Sequence, residues 1–198
     1  MKSLGMLCIF ACGAMTVFGT TVSFNTPTGD QGASHTYGGL ILATAFGPNL
    51  NGNPVHLYGK NDAGNEKGVG LTNDPTGDHE ISGTSFIQLD LINILGYLPM
   101  SITMNSTTDG EAWKISQSSV SGTLGTNCAT YTCWTGTGEG SVSISPTLRY
   151  LDIKSTNGNV LLSSISYTQP TPEPVSSALV GGGLMTMYLI RRRRNNSL

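Results

Sequence analysis

Phe86-Ile87-Gln88-Leu89-Asp90-Leu91 alternates strictly between two kinds of side chain. Successive side chains of a strand point to opposite faces, so Ile87, Leu89 and Leu91 face a core while Phe86, Gln88 and Asp90 are partly solvated. Ser141-Val142-Ser143-Ile144-Ser145 repeats the pattern, with Val142 and Ile144 inward and the serines outward. That is how an antiparallel sheet with one wet face reads. Outward from these two runs, short segments rich in Val, Ile, Thr, Tyr and Phe recur between clusters of Gly, Asn, Asp, Ser and Pro. Thr21 to Phe24, Leu40 to Phe46, Val55 to Tyr58, Ser101 to Met104, Ala112 to Ser116, Leu148 to Ile153 and Val160 to Tyr167 complete nine predicted strands. Nine strands make a sandwich or a barrel. Only Asp90 to Leu98 reads as helical, and Gly96 and Pro99 stop it within two turns. There is no internal repeat, and the stretch around Thr135 to Gly140 is the one low-complexity segment.

Composition narrows the class further. Only 11% of the 198 residues are charged, against roughly 25% in an average globular protein. Gly (26), Pro (9), Ser (21) and Thr (24) are abundant instead. This excludes a coiled coil, a helical bundle and a basic nucleic-acid binder. The length fits one domain with a short appendage. The formal net charge of −2 hides an asymmetry. Residues 20 to 174 hold all twelve acids but only Lys60, Lys67, Lys114, Arg149 and Lys154, so that body carries 5 − 12 = −7. An acidic body repels nucleic acid.

The two termini read as addresses. Lys2 precedes an apolar stretch from Leu4 to Phe18, and Gly19 and Thr20 follow. A positive start, an apolar middle and small residues near the cut make a secretory signal over residues 1–19, with Val17 and Gly19 before the cleavage. A buried N-terminal helix fits less well, because β-formers begin at Thr21, and Phe10 is bulky for acylation at Cys12. The body is then 20–168, and 169–198 is a linker plus tail. In that tail Pro172-Glu173-Pro174 precede the 16-residue run Val175 to Ile190, and Arg191, Arg192, Arg193 and Arg194 close it. As a helix the run is about 24 Å long, a little short of the roughly 30 Å hydrocarbon core, and snorkelling arginines make up the difference. The predicted single transmembrane helix would keep its arginines cytoplasmic and the body outside.

This three-part tail resembles the Pro-Glu-Pro C-terminal sorting signal (PEP-CTERM) of bacterial exported proteins, matched over roughly the last 27 residues. The resemblance implies recognition and cutting by a membrane-embedded exosortase, with this chain as its substrate, and a place alongside exopolysaccharide. It also implies passage through the inner membrane to the cell surface or extracellular space. A plain single-span anchor that is never cut is the alternative. The body resembles the β-domains found ahead of such tails through Gly68-Val69-Gly70-Leu71, Asp78-His79-Glu80-Ile81 and the Phe86 to Leu91 strand. That looser likeness implies a jelly-roll-like antiparallel sandwich without assigning an activity.

Four side-chain groups are candidates for chemistry. Cys8 and Cys12 leave with the signal, whereas Cys128 and Cys133 suit a disulfide in an oxidising compartment. A metal site needs CxxC spacing or a nearby His, and neither is present. Asp74, Asp78 and Glu80, on a Gly/Pro turn beside Asn73, suit an oxygen-liking cation such as Ca²⁺, although the spacing is not that of an EF-hand. Asp74 and Asn73 are also ordinary turn residues. Trp134 and Tyr131, near the cysteine loop, could stack on a sugar ring. Trp113 belongs instead on a buried face with Ile115, and Asn105-Ser106-Thr107 reads as a turn rather than a glycosylation site.

Catalysis finds little support. His35, His56 and His79 stand apart, His35 as a loop residue and His56 outward on a strand, with no HExxH or GxSxG motif. No two of Asp74, Asp78, Glu80, Glu111 and Glu139 are singled out as a glycosidase pair. The expectation is therefore an exported, non-enzymatic structural or interaction component of the polysaccharide matrix. A calcium-dependent carbohydrate-binding module is the alternative.

Overall fold

The computed structural model describes residues 18–49, 54–64, 66–105, 110–169, 181–188 and 191–192. These contain thirteen strands. In chain order they are β1 (Phe18–Ser23), β2 (Gly29–Asp30), β3 (Ser34–Tyr37), β4 (Ile41–Phe46), β5 (Leu57–Asn61), β6 (Lys67–Leu71) and β7 (Phe86–Asp90), then β8 (Met100–Asn105), β9 (Ala112–Ser118), β10 (Trp134–Thr137), β11 (Gly140–Ile144), β12 (Tyr150–Asn157) and β13 (Leu161–Gln169). They form two antiparallel sheets. The seven-stranded sheet runs β11-β8-β13-β6-β5-β2, with β1 also paired to β13. The six-stranded sheet runs β10-β9-β12-β7-β4-β3.

Contacts divide the chain into two compact units, 19–169 and the terminal segments 1–18 with 170–198. The first unit holds one core to which both sheets contribute. Val69, Ile102 and Ile165 come from the seven-stranded sheet, and Ile41, Leu89, Ile115 and Ile153 from the six-stranded one, all fully buried. Each such side chain contributes about 2 kcal/mol by leaving water. Among the described residues, every member of this core lies from Val22 to Tyr167.

The alternation that predicted the sheets holds where it was clearest. Ile87, Leu89 and Leu91 are fully buried, Trp113 and Ile115 share the buried face, and Ser141 and Ser143 are exposed beside buried Ile144. Gln88 departs from it. Expected to be partly solvated, Gln88 is buried because the segment 119–133 covers the outer face of the six-stranded sheet. Its amide donates to Asp152 Oδ1 (2.7 Å), and its carbonyl accepts from Gly122 N (2.9 Å). Gly125 N donates to Asp152 Oδ2 (2.7 Å), and Gln117 donates to Thr132 O (3.0 Å). Burial raises the Asp152 pKa, and the bonds from Gly125 and Gln88 offset this only in part.

Strands β2, β3, β6 and β10 lay outside the nine expected. Both β6 and β10 contain glycines that read as turns or low complexity, yet these glycines are demanded by close packing. A Cβ on Gly136 would lie 2.2 Å from the Trp113 ring, and one on Gly70 would lie 2.0 Å from His79 O. His35, expected in a loop, lies in β3 with its ring edge-on to Tyr37 at 4.8 Å.

Strand β1 begins inside the expected signal, and its partner is near the other end of the chain. Thr21 Oγ1 lies 2.8 Å from Ser166 Oγ, and Phe24 N donates to Ser163 O (2.9 Å), so β1 runs antiparallel to β13. Tyr167 pairs with Met100, and Thr168 N donates to Pro99 O (3.2 Å). The start of β1 and the end of β13 therefore share one end of the body, beside the 91–99 connection.

In the second unit, residues 181–188 form a helix whose side chains are exposed, Leu184, Met185, Met187 and Tyr188 among them. Arg191 and Arg192 are also helical. Among the described residues no helix is long and apolar enough to cross a membrane. The expected leader up to Val17, the motif Pro172, Glu173 and Pro174, the rest of the Val175 to Ile190 run, Arg193 and Arg194 lie outside the described residues.

Candidate functional site

The loop Asn73 to Glu80 crosses the outer face of the seven-stranded sheet. It can do so because Gly70 on β6 has no side chain where His79 and Glu80 pass. Asp74, 6% exposed, organises the loop from within. Its Oδ2 accepts from Thr76 Oγ1 (2.7 Å) and Glu80 N (3.3 Å), and its Oδ1 accepts from Thr76 N (3.2 Å). Asn73 donates to Ser85 Oγ (2.8 Å) and Pro48 O (3.0 Å). At the loop's crest His79 has φ 60°, a left-handed conformation that is uncommon for a residue other than glycine. Its ring stacks on Tyr58 of β5 with centroids 3.9 Å apart.

Beside this loop a cleft of ≈ 380 Å³ is lined by Lys60, Asp62, Glu66, Asp78, Glu80, Glu111 and Asn159. Lys60 of β5 is its electrostatic centre. The ammonium donates to Glu80 Oε1 (2.9 Å) and to Glu66 Oε2. Burial alone would lower the Lys60 pKa, but its bonds and attraction to Glu66 and Glu80 outweigh this and hold it above its ordinary range. Asn159 Nδ2 donates to Thr76 Oγ1 (3.0 Å) and Asp74 Oδ2 (3.4 Å), while its backbone N–H donates to Glu111 Oε1 (3.2 Å). The result is a ring of carboxylates and one amide around a fixed cation. Such a surface can hydrogen-bond a hydroxyl-rich ligand from several sides.

This geometry redistributes the residues expected to bind Ca²⁺. Asp74 is turned into its own loop, Glu80 is ion-paired to Lys60, and Asp78 is exposed at the cleft rim. Among the described residues no three of His, Cys, Asp or Glu are placed to hold a metal ion. The cation that this turn gathers is the Lys60 ammonium. The sequence pointed to Asp78 and Glu80 and named Glu111 only among five unselected acids, whereas Lys60, Glu66 and Asn159 were not expected at a site. Alternation along Tyr58-Gly59-Lys60 could have put Tyr58 and Lys60 on one face, but nothing local showed that a loop twenty residues later would meet them.

Cys128 and Cys133 form a disulfide with Cα atoms 5.3 Å apart. Tyr131, on the loop it closes, is 38% exposed. Trp134, in β10, pairs with Ile115 of β9 and is partly buried against the core. His56 Nδ1 lies 3.0 Å from both Asp30 carboxylate oxygens, and this bond, with one from Gly32 N, holds Asp30 below its usual range. Asn105, the first residue of the sequon, spends its amide on Lys67 O (2.9 Å) and Ser163 Oγ (3.1 Å). No family model, curated protein or solved structure matches this chain.

Proposed function

We propose that the chain is an exported structural or interaction protein of the cell surface or exopolysaccharide matrix. Its body is a jelly-roll-like β-sandwich, and its tail is a PEP-CTERM signal sorted by an exosortase, with Val175 to Ile190 as the membrane span. The supporting observation is the Cys128–Cys133 bond in a body whose described core ends at Tyr167, before the tail begins. Disulfides persist in exported proteins and are rare in the reducing cytosol. Deleting Pro172 to Pro174 and following the tail by membrane blot tests the sorting. Loss of a processed product in the deletion is expected, and the same uncut product in both forms overturns it.

A carbohydrate-binding role is the second reading, favoured by the Lys60 cleft with its convergent carboxylates and amide. Its test is retention of the purified protein on immobilised polysaccharides, with and without chelator. Retention that Lys60→Met reduces tenfold or more supports the cleft as the site. Absence of retention leaves the matrix role, and loss on chelation would restore a metal to the reading.

A further inference from the structure

The two ends of the body differ in chemistry as well as position. At the end where β1 begins and β13 terminates, five aliphatic side chains are exposed: Leu40 36%, Leu42 40%, Ile92 56%, Leu95 36% and Leu98 47%. Local geometry groups them. Asn93 Nδ2 donates to Leu40 O (2.9 Å), Leu42 pairs across the ladder with Asp90, and Ile92, Leu95 and Leu98 follow on the same connection. Asp90, the ladder partner of Leu42, is bound by two nitrogens of Arg149. The opposite end holds Asp62, Glu66, Asp78, Glu80 and Glu111 around the Lys60 cleft.

Isolated exposed aliphatics are ordinary, but a group of five on a chain with few charges marks a contact surface. Position identifies what it contacts. The chain leaves this end at Gln169, and five residues, Pro170 to Pro174, separate it from the apolar run starting at Val175. Five residues span at most about 18 Å however extended they are. Charge acts in the same direction, because anionic headgroups repel the acidic end and leave the neutralised apolar end facing them.

We infer that Leu40, Leu42, Ile92, Leu95 and Leu98 form a membrane-docking face that seats the body on the bilayer holding its tail. The inference rests, for its orientation, on the proposed membrane span at Val175 to Ile190 in the chain before it is cut, and its chemistry is shallow burial of aliphatic side chains at the headgroup boundary.

The test uses the full chain, with Cys8→Ser and Cys12→Ser, reconstituted in phosphatidylethanolamine/phosphatidylglycerol vesicles carrying a lipid-borne quencher. An environment-sensitive fluorophore is placed at Leu95→Cys or, at the acidic end, at Asn61→Cys. Alkaline extraction of the same vesicles reports independently whether the tail is embedded. Quenching by more than about half at position 95 and less than about a tenth at position 61 is expected for side chains at the interface. Adding Ile92→Ser and Leu98→Ser should abolish the quenching while near-ultraviolet circular dichroism stays unchanged. An embedded tail with no quenching at 95 overturns the docking face and leaves the anchor standing. Quenching at 95 with an extractable tail upholds the face and removes the anchor. Neither signal overturns both, and a spectral shift that follows protein concentration rather than lipid assigns the patch to a second copy and overturns the inference.

Discussion

Two loops cover the outer faces of the two sheets, and they are fastened by opposite means. The segment 119–133 lies on buried Gln88, Gln117 and Asp152, whose oxygens and amides take up the loop's own N–H and C=O groups, and a disulfide closes its far part. The loop 73–80 is fastened by Asp74, by a stacked and left-handed His79 and by the Lys60 ion pairs, and it borders an open cleft. A buried polar group costs free energy unless it is satisfied, so a fully satisfied seam seals a surface. Charges left at a cleft rim keep their capacity to bind something else. The sealed loop is architecture, and the charged loop is where a ligand can be met.

The contrast is most severely broken by Gly70→Val. Its Cβ would fall 2.0 Å from His79 O and 2.7 Å from Glu80 Cα, both backbone atoms that cannot rotate aside. Overpacking of this kind should cost about 3 kcal/mol in denaturant unfolding, with the far disulfide loop unaffected by hydrogen exchange. Lys60→Met comes next. It leaves Glu80, 5% exposed, without its cation, and the partly open site reduces the expected loss to about 2 kcal/mol, again by denaturant unfolding.

On the sealed side, replacing Cys128 and Cys133 together by Ser removes a short closed loop and should cost about 2 kcal/mol. Unchanged stability would show that the polar seam alone holds the segment. The smallest effect is a pH dependence. Asp152 titrates above the ordinary 3.8 in the folded protein, so it stays protonated there while the unfolded chain has already released its proton. Stability therefore falls as pH rises from 3.8 through the raised value, and levels off above it. In Asp152→Asn this slope, at most about 1.4 kcal/mol per pH unit, should vanish from paired urea titrations across that window.

Much of the architecture could be read locally, because alternation is a property of neighbours in sequence. Phe86 to Leu91 and Ser141 to Ser145 needed only their own pattern. Four strands escaped for reasons that are not local. The glycines of β6 and β10 look like turns until His79 and the Trp113 ring are seen above them. Gln88 looked solvated because only the folded chain brings 119–133 across it. The candidate site was half legible. Asp78 and Glu80 were visible as a polar turn, but their ammonium partner belongs to a strand that alternation alone could not pair with them. The disulfide was readable because its cysteines are close in sequence and no competing ligand was present.

The pairing of β1 with β13 sets an order of events. Thr21 and Ser166 are 145 positions apart, so the first strand has no partner until nearly the whole body has been made. At 5–20 residues per second that interval is on the order of ten seconds. Throughout it the β13 residues that β1 pairs with are not yet made. On the proposed reading of residues 1–19 as a leader, a cut after Gly19 would fall at a strand whose partner is among the last parts of the body to be made.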